Sequence, residues 1–207
     1  MIKSSNEKLS NHAIPFKKMK TLYIRHAQSE ANAGGRTIDP VSIAITEIGY
    51  SQSVSLAEEI SEQPDLIIVS PYIRTQQTAL PLTQKYPNCP MEIWLLHEFT
   101  FLSPVICRNT TPKERRPLVE KYWKSCDPDF IHGEGAESFN QFRTRICEAI
   151  NGINALKLNN VIVFTHEQVI LLIKLMLLEK QFSMADYREK VMNESIKNTE
   201  IFKVESN

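Results

Sequence analysis

The sequence predicts an α/β fold: a three-layer sandwich with a mostly parallel central sheet, helices on both faces and a small helical cap segment. Three observations lead there. The apolar runs Thr21-Leu22-Tyr23-Ile24, Leu66-Ile67-Ile68-Val69 and Val161-Ile162-Val163-Phe164 are continuous rather than alternating, as in strands buried on both faces. Segments of helical period separate them. Polar residues then stand just past two strand ends, Arg25-His26 and Thr165-His166, where open α/β sheets bind their ligands.

The elements follow in order. A first strand is expected at about 20–25, followed by a loop containing Gly34-Gly35. Thr46 precedes the helical pattern Ile48, Val54, Leu56 and Ile60 and suits an N-cap. The second strand is Asp65 to Val69, and Ser70-Pro71 is expected to open a helix with proline in its first turn. The third strand is about Glu92 to Leu96. A long segment, about 99–136, is the expected cap. Within it Thr111-Pro112-Lys113-Glu114 reads as a capping box for a helix reaching about Ser125, and Gly133-Glu134-Gly135 as a turn. Further helices are expected from Glu137 to Leu156 and from Glu167 to Leu178, around a fourth strand at 161–165. Glu200 to Val204 alternates in polarity and suits an edge strand. Residues 1–19 are polar and aperiodic and read as a disordered tail. Residues 20–207 read as one domain, a size that buries a single core well.

Composition narrows the function. Lys plus Arg and Asp plus Glu each number 24, so the formal net charge is zero. Nucleic acid or an anionic membrane would favour a basic excess, so neither is expected as the partner. The apolar stretch from Val169 to Leu178 carries Lys174 and is too short to span a bilayer. The N-terminus lacks the apolar core of a signal peptide. Cys89, Cys107, Cys126 and Cys147 form no C-x-x-C pair and suit reduced thiols in a cytoplasmic protein. No motif encodes an oligomeric state; a homodimer is the default expectation.

The chemistry lies at the strand ends. Arg25 and His26 follow the first strand, Arg74 lies about one helical turn past the second, Glu98 follows the third, and His166 the fourth. Arginine forks match phosphate oxygens and keep their charge. A neutral imidazole nitrogen can attack phosphorus. A second histidine can stabilise charge on the equatorial oxygens. A carboxylic acid can protonate a departing alkoxide and then activate water. Thr165-His166-Glu167 does not begin a zinc-protease motif, because position 170 is Ile where a second histidine is needed. His97 and His132 fit no familiar metal-ligand spacing and read as solvent-facing or lid residues, and His12 lies in the tail.

Taken in order, these motifs resemble the histidine phosphatase superfamily, the phosphoglycerate mutase-like family. Its R-H-G signature stands here as Arg25-His26-Ala27, followed by Gln28-Ser29 and by Asn32. Its L-T-x-x-G-x-x-Q element is similar to Ile45 through Gln52, and its S-P-x-x-R-x-x-Q-T-A element matches Ser70 through Ala79. Leu96-His97-Glu98, Gly135-Ala136-Glu137-Ser138 and Thr165-His166-Glu167 resemble its remaining elements, so the likeness covers residues 20 to about 170.

The resemblance implies that His26 is the nucleophile, that Arg25, Asn32, Arg74 and His166 hold the phosphoryl group, and that Glu98 is the general acid/base. It implies no metal and no organic cofactor, and a small phosphate ester or a phosphoprotein as substrate. A phosphatase is the expected activity, with a cofactor-primed phosphoglycerate mutase and an inactive phospho-ligand binding module as alternatives. Two positions depart from the family pattern: Ala27 and Glu167 stand where glycines are usual. A carboxylate beside a phosphate site is unfavourable if it points inward, so Glu167 is expected to face solvent or pair with a cation. Arg108, Lys113, Arg115 and Arg116 make the cap segment basic, either as a solvated face or as a lid that reads an anionic substrate.

Overall fold

The computed structural model describes residues 19–179 and 181–205. The expected tail therefore lies outside the described residues except for Met19, which is buried in the core. The elements are β1 (Lys20–Arg25), α1 (Glu47–Glu59), β2 (Leu66–Val69), α2 (Ile73–Lys85), β3 (Met91–Ile93), α3 (Pro112–Ser125), α4 (Phe139–Ala155), β4 (Asn160–Thr165), α5 (Glu167–Leu178), α6 (Met184–Asn193) and β5 (Ile201–Glu205). The sheet order is β3-β2-β4-β1-β5. β1, β2, β3 and β4 are parallel, and β5 closes the β1 edge antiparallel.

Side chains alternate across this sheet and build two cores. Tyr23, Leu66, Ile68, Val161 and Val163 face one side, where α4 and α5 supply Phe139, Phe142, Ile146, Val169 and Leu172. Ile24, Ile67, Val69, Ile162 and Phe164 face the other, under Leu56 and Ala57 of α1 and Ala79 and Leu82 of α2. Two cores on one sheet are why the central strands are apolar throughout. Phe99, Tyr122 and Trp123 of the expected cap also enter the first core.

Three boundaries differ from expectation. β3 ends at Ile93, not Leu96: it is an exposed three-residue edge, and Leu96 turns inward so that its carbonyl accepts from Thr165 Oγ1 at 2.7 Å. α2 begins at Ile73 with Tyr72 as N-cap, so Pro71 lies outside it. The residues before it form a turn in which Tyr72 N donates to Ser70 Oγ and Ile73 N to Val41 O. α4 starts two residues later than expected because Ser138 caps it, its Oγ accepting from Gln141 N while the Gln141 side chain accepts from Ser138 N. The caps at Thr46 and Thr111 form as expected. α6 was not expected, although Ser183 and Asp186 close a capping box at its start. All four cysteines are free thiols, and among the described residues no helix is long and apolar enough to cross a membrane.

Candidate active site

β1, β4 and β2 lie side by side and run the same way, so their carboxyl ends bring Arg25-His26, Thr165-His166 and Ser70 to one rim. His26 N donates to Thr165 O, and Ser70 N to Phe164 O, continuing the ladders one residue beyond the strands. The imidazole centroids of His26 and His166 are 5.1 Å apart, close enough to share one tetrahedral anion.

Arg74 links them. Its Nε donates to His26 Nε2 and its Nη2 to His166 Nδ1, both at 3.1 Å, while Nη1 donates to Pro40 O at 2.8 Å. All three side chains are buried, at 4%, 0% and 6% exposure for His26, His166 and Arg74, so the groups meet away from bulk water. The hydrogen-bond partners assign the tautomers. His26 Nδ1–H donates to Ala27 O at 2.7 Å, leaving a lone pair on Nε2. His166 accepts at Nδ1 and so donates from Nε2 to Ser70 Oγ at 2.8 Å. Burial, then the Arg74 charge, holds both imidazoles well below their ordinary pKa and therefore neutral. Burial likewise brings Arg74 down to about 10, which leaves it charged at neutral pH.

Glu98 is half-buried, and its Oε1 accepts from Phe99 N and Gln168 N at 3.1 and 3.2 Å. Burial raises its carboxyl to about 7 against the opposing charge of Arg74. Arg74 and Glu98 line one cleft of about 320 Å³. Arg25 has a different setting. Its Nη2 pairs with Glu167 Oε2 at 3.1 Å, its Nη1 donates to Ile196 O, and its Nε is buried with no partner. Glu167 thus pairs with an arginine rather than opposing an anion, and its Oε1 accepts from Ile196 N at 3.0 Å. Asn32 is exposed, with Oδ1 accepting from Ser29 N, Ser29 Oγ and Asn198 Nδ2.

The motif positions around these groups have mechanical reasons. Ala27 N donates to Thr78 Oγ1, Gln28 N to Gln52 Oε1 and Ile45 N to Gln77 Oε1, which ties the loop after β1 to α1 and α2. A Cβ on Gly49 would stand 2.2 Å from Gln28 O, so only glycine permits that approach.

Two contributors carry no local signal in the sequence. Arg145 of α4 forms a bidentate pair with Glu137 at 2.7 and 2.8 Å and donates to Leu95 O and Glu98 O, bracing the loop that carries Glu98. Asn198 Nδ2 donates to His26 O at 2.9 Å. Of the other histidines, His132 Nδ1 accepts from Ser103 N and so holds a loop. His97 packs on the Tyr72 ring, and burial lowers it to about 4. Arg115 lines the cleft, whereas Arg116 is exposed and pairs with Glu120.

The family model of the histidine phosphatase superfamily (branch 1) matches residues 22–205. The chain belongs to that superfamily. This histidine phosphatase superfamily member is 29% identical over 178 residues to a metal-independent phosphoserine phosphatase of Arabidopsis thaliana, covering 84% of this chain and 72% of the relative. Among solved structures, it resembles the alpha-ribazole phosphatase of Shigella flexneri with a TM-score of 0.73 at 20% identity over 91% of each chain. It also resembles the Entamoeba histolytica phosphoserine phosphatase in complex with 3-phosphoglyceric acid, with a TM-score of 0.69 at 20% identity over 91% of this chain and 95% of that one. These likenesses agree with the three-layer α/β fold.

Proposed function

We propose that the protein hydrolyses a phosphate monoester through a covalent phosphohistidine on His26. The observation that carries this reading is the state of His26: Nδ1–H is committed to Ala27 O, so the lone pair on Nε2 faces the Arg74 guanidinium that also reaches His166. An arriving phosphoryl group accepts the Arg74 N–H groups in place of the imidazoles, which frees His26 Nε2 for attack. Arg25 Nε, buried without an acceptor, and the carboxamide of Asn32 are the further donors assigned to the oxygens.

In the first step the Nε2–P bond forms as the P–O ester bond breaks, and the Glu98 carboxyl gives its proton to the departing alkoxide. In the second step the Glu98 carboxylate takes a proton from water as the water oxygen attacks phosphorus. The N–P bond breaks, its electron pair returns to Nε2, and inorganic phosphate leaves. A carboxyl with a pKa of about 7 suits both halves of this cycle, since it is readily either acid or base near neutrality. Arg74 stabilises the charge that builds on the equatorial oxygens.

The test is a rapid quench with a ³²P-labelled monoester. Phosphate release, with an acid-labile and alkali-stable label on the protein that His26→Ala abolishes, is the expected result. A protein that releases phosphate equally well as His26→Ala overturns the proposal. A coupled assay with phosphoglycerate and bisphosphoglycerate distinguishes hydrolysis from mutase activity.

A further inference from the structure

Beyond Arg74 and Glu98 the apolar part of the cleft wall includes Ile43, Phe99, Phe101, Leu102, Pro104 and Val119, contributed by the loop after β1, the segment after β3 and α3. Several of its polar atoms are spent within the protein, although the buried Thr37 Oγ1 has no partner. Thr100 Oγ1 donates to Glu98 O and meets the Tyr72 hydroxyl, Gln168 O accepts from Tyr187, and Arg115 Nη1 donates to Thr110 O and Oγ1. The charged side chains lining it are Arg74, Glu98 and Arg115. An ammonium group on a substrate therefore finds no carboxylate except Glu98, which burial keeps largely protonated below about pH 7. The volume, about 320 Å³, lies at the small end of ligand pockets.

From this wall we infer that the leaving-group subsite selects phosphate monoesters of a small apolar alcohol, aliphatic or single-ring aromatic, over esters of amino-acid or sugar alcohols. The inference rests on the phosphatase reading above and adds the class of substrate to it. The apolar body displaces water from the aromatic and branched side chains, and the phosphoryl end meets Arg74, whose Nε contacts His26. Each additional methylene buried there strengthens transition-state binding by a near-constant factor. A polar body gives up hydration that these walls do not replace.

The experiment measures kcat/KM for methyl, ethyl, propyl, butyl and hexyl phosphate beside phosphoserine. Basicity of the leaving alcohol barely changes along that series, so the chemical step is held constant. Expected is a rise of about fourfold per methylene until the cleft is full, with phosphoserine below propyl phosphate. The double variant Ile43→Thr/Val119→Thr, which puts two hydroxyls on the wall and removes one methyl group, is expected to flatten the rise and leave methyl phosphate unchanged. A flat series, or phosphoserine above the alkyl esters, overturns the inference while hydrolysis that depends on His26 leaves the phosphatase reading standing. Failure to cleave any ester removes both. The series on the unaltered protein decides the matter even if the double variant does not fold.

Discussion

Glu98→Gln is expected to damage activity and improve stability at the same time. The carboxyl is raised from 4.5 to about 7 chiefly by burial. The folded protein holds this proton more tightly than the unfolded chain does. The associated stability is therefore complete below pH 4.5, is lost as pH rises towards 7, and is absent above it. At one pKa unit per about 1.4 kcal/mol, keeping the carboxylate charged in the folded protein at pH 8 costs at most about 3 kcal/mol. Solvent reaching the half-buried group brings this to about 1–3 kcal/mol. The substituted amide carries no charge, and its oxygen can still accept from Phe99 N and Gln168 N. The variant should melt about 2–12 °C higher at pH 8 and show a much smaller gain at pH 5. Its kcat on an alkyl phosphate should fall about 10²- to 10⁴-fold. On p-nitrophenyl phosphate, whose leaving group needs no proton, kcat/KM should fall far less, while kcat still falls because the second step lacks its base. In the unaltered protein kcat/KM should decline above about pH 7, as Glu98 loses the proton it donates. No decline should arise near pH 6.5 from His26, which is already neutral there. Ionisation of the substrate is common to both proteins and cancels in their ratio. Thermal melts and pH–rate profiles measure both arms. An alkaline decline that persists in Glu98→Gln, or a stability difference equal at pH 5 and pH 8, refutes the reasoning.

Three further outcomes are expected. Gly49→Ala forces a Cβ against Gln28 O and should cost about 1–3 kcal/mol by denaturant titration. Arg145→Met leaves Glu137 without its partner in a pair only 13–15% exposed. It should destabilise by about 2–4 kcal/mol and lower kcat more than it changes KM, because the Glu98 loop loses its brace. Arg74→Lys should raise the inhibition constant for inorganic phosphate at least tenfold, whereas Arg25→Lys should raise it only a few-fold; steady-state inhibition measures both.

The central strands were legible because burial on both faces leaves no choice of residue: β1 and β4 match their expected bounds within a residue. β3 was not, since a three-residue exposed edge carries little apolar pattern. α6 went unread although Ser183 and Asp186 supplied a cap signal, because its burial rests on only two positions, Met184 and Tyr187. In the site, His26, Arg74 and His166 were found from their places after strands, and the structure brings them into direct contact. Glu98 also meets the same cleft as Arg74. Arg145 and Asn198 act across 47 and 172 positions of sequence, and nothing in their neighbours announces such partners. Local patterns specify elements, whereas pairs between elements exist only once the chain has folded.

The two arginines differ in what an arriving anion offers them. Within the protein Arg74 donates to neutral acceptors: two imidazoles and the Pro40 carbonyl. Exchanging these for the oxygens of a dianion replaces neutral hydrogen bonds with charge-assisted ones, which are roughly twice as strong. Arg25 already has a carboxylate in Glu167 and a carbonyl in Ile196, so only its Nε stands to gain. Glu167 stands where family members usually have glycine, and it pairs with a partly buried cation at the expense of that cation's appetite for phosphate. In the proposed mechanism much of the site's affinity therefore concentrates on Arg74, the residue whose Nε–H must leave His26 before it can attack. Under that proposal phosphate binding and activation of the nucleophile become a single event, because the one Arg74–His26 hydrogen bond governs both.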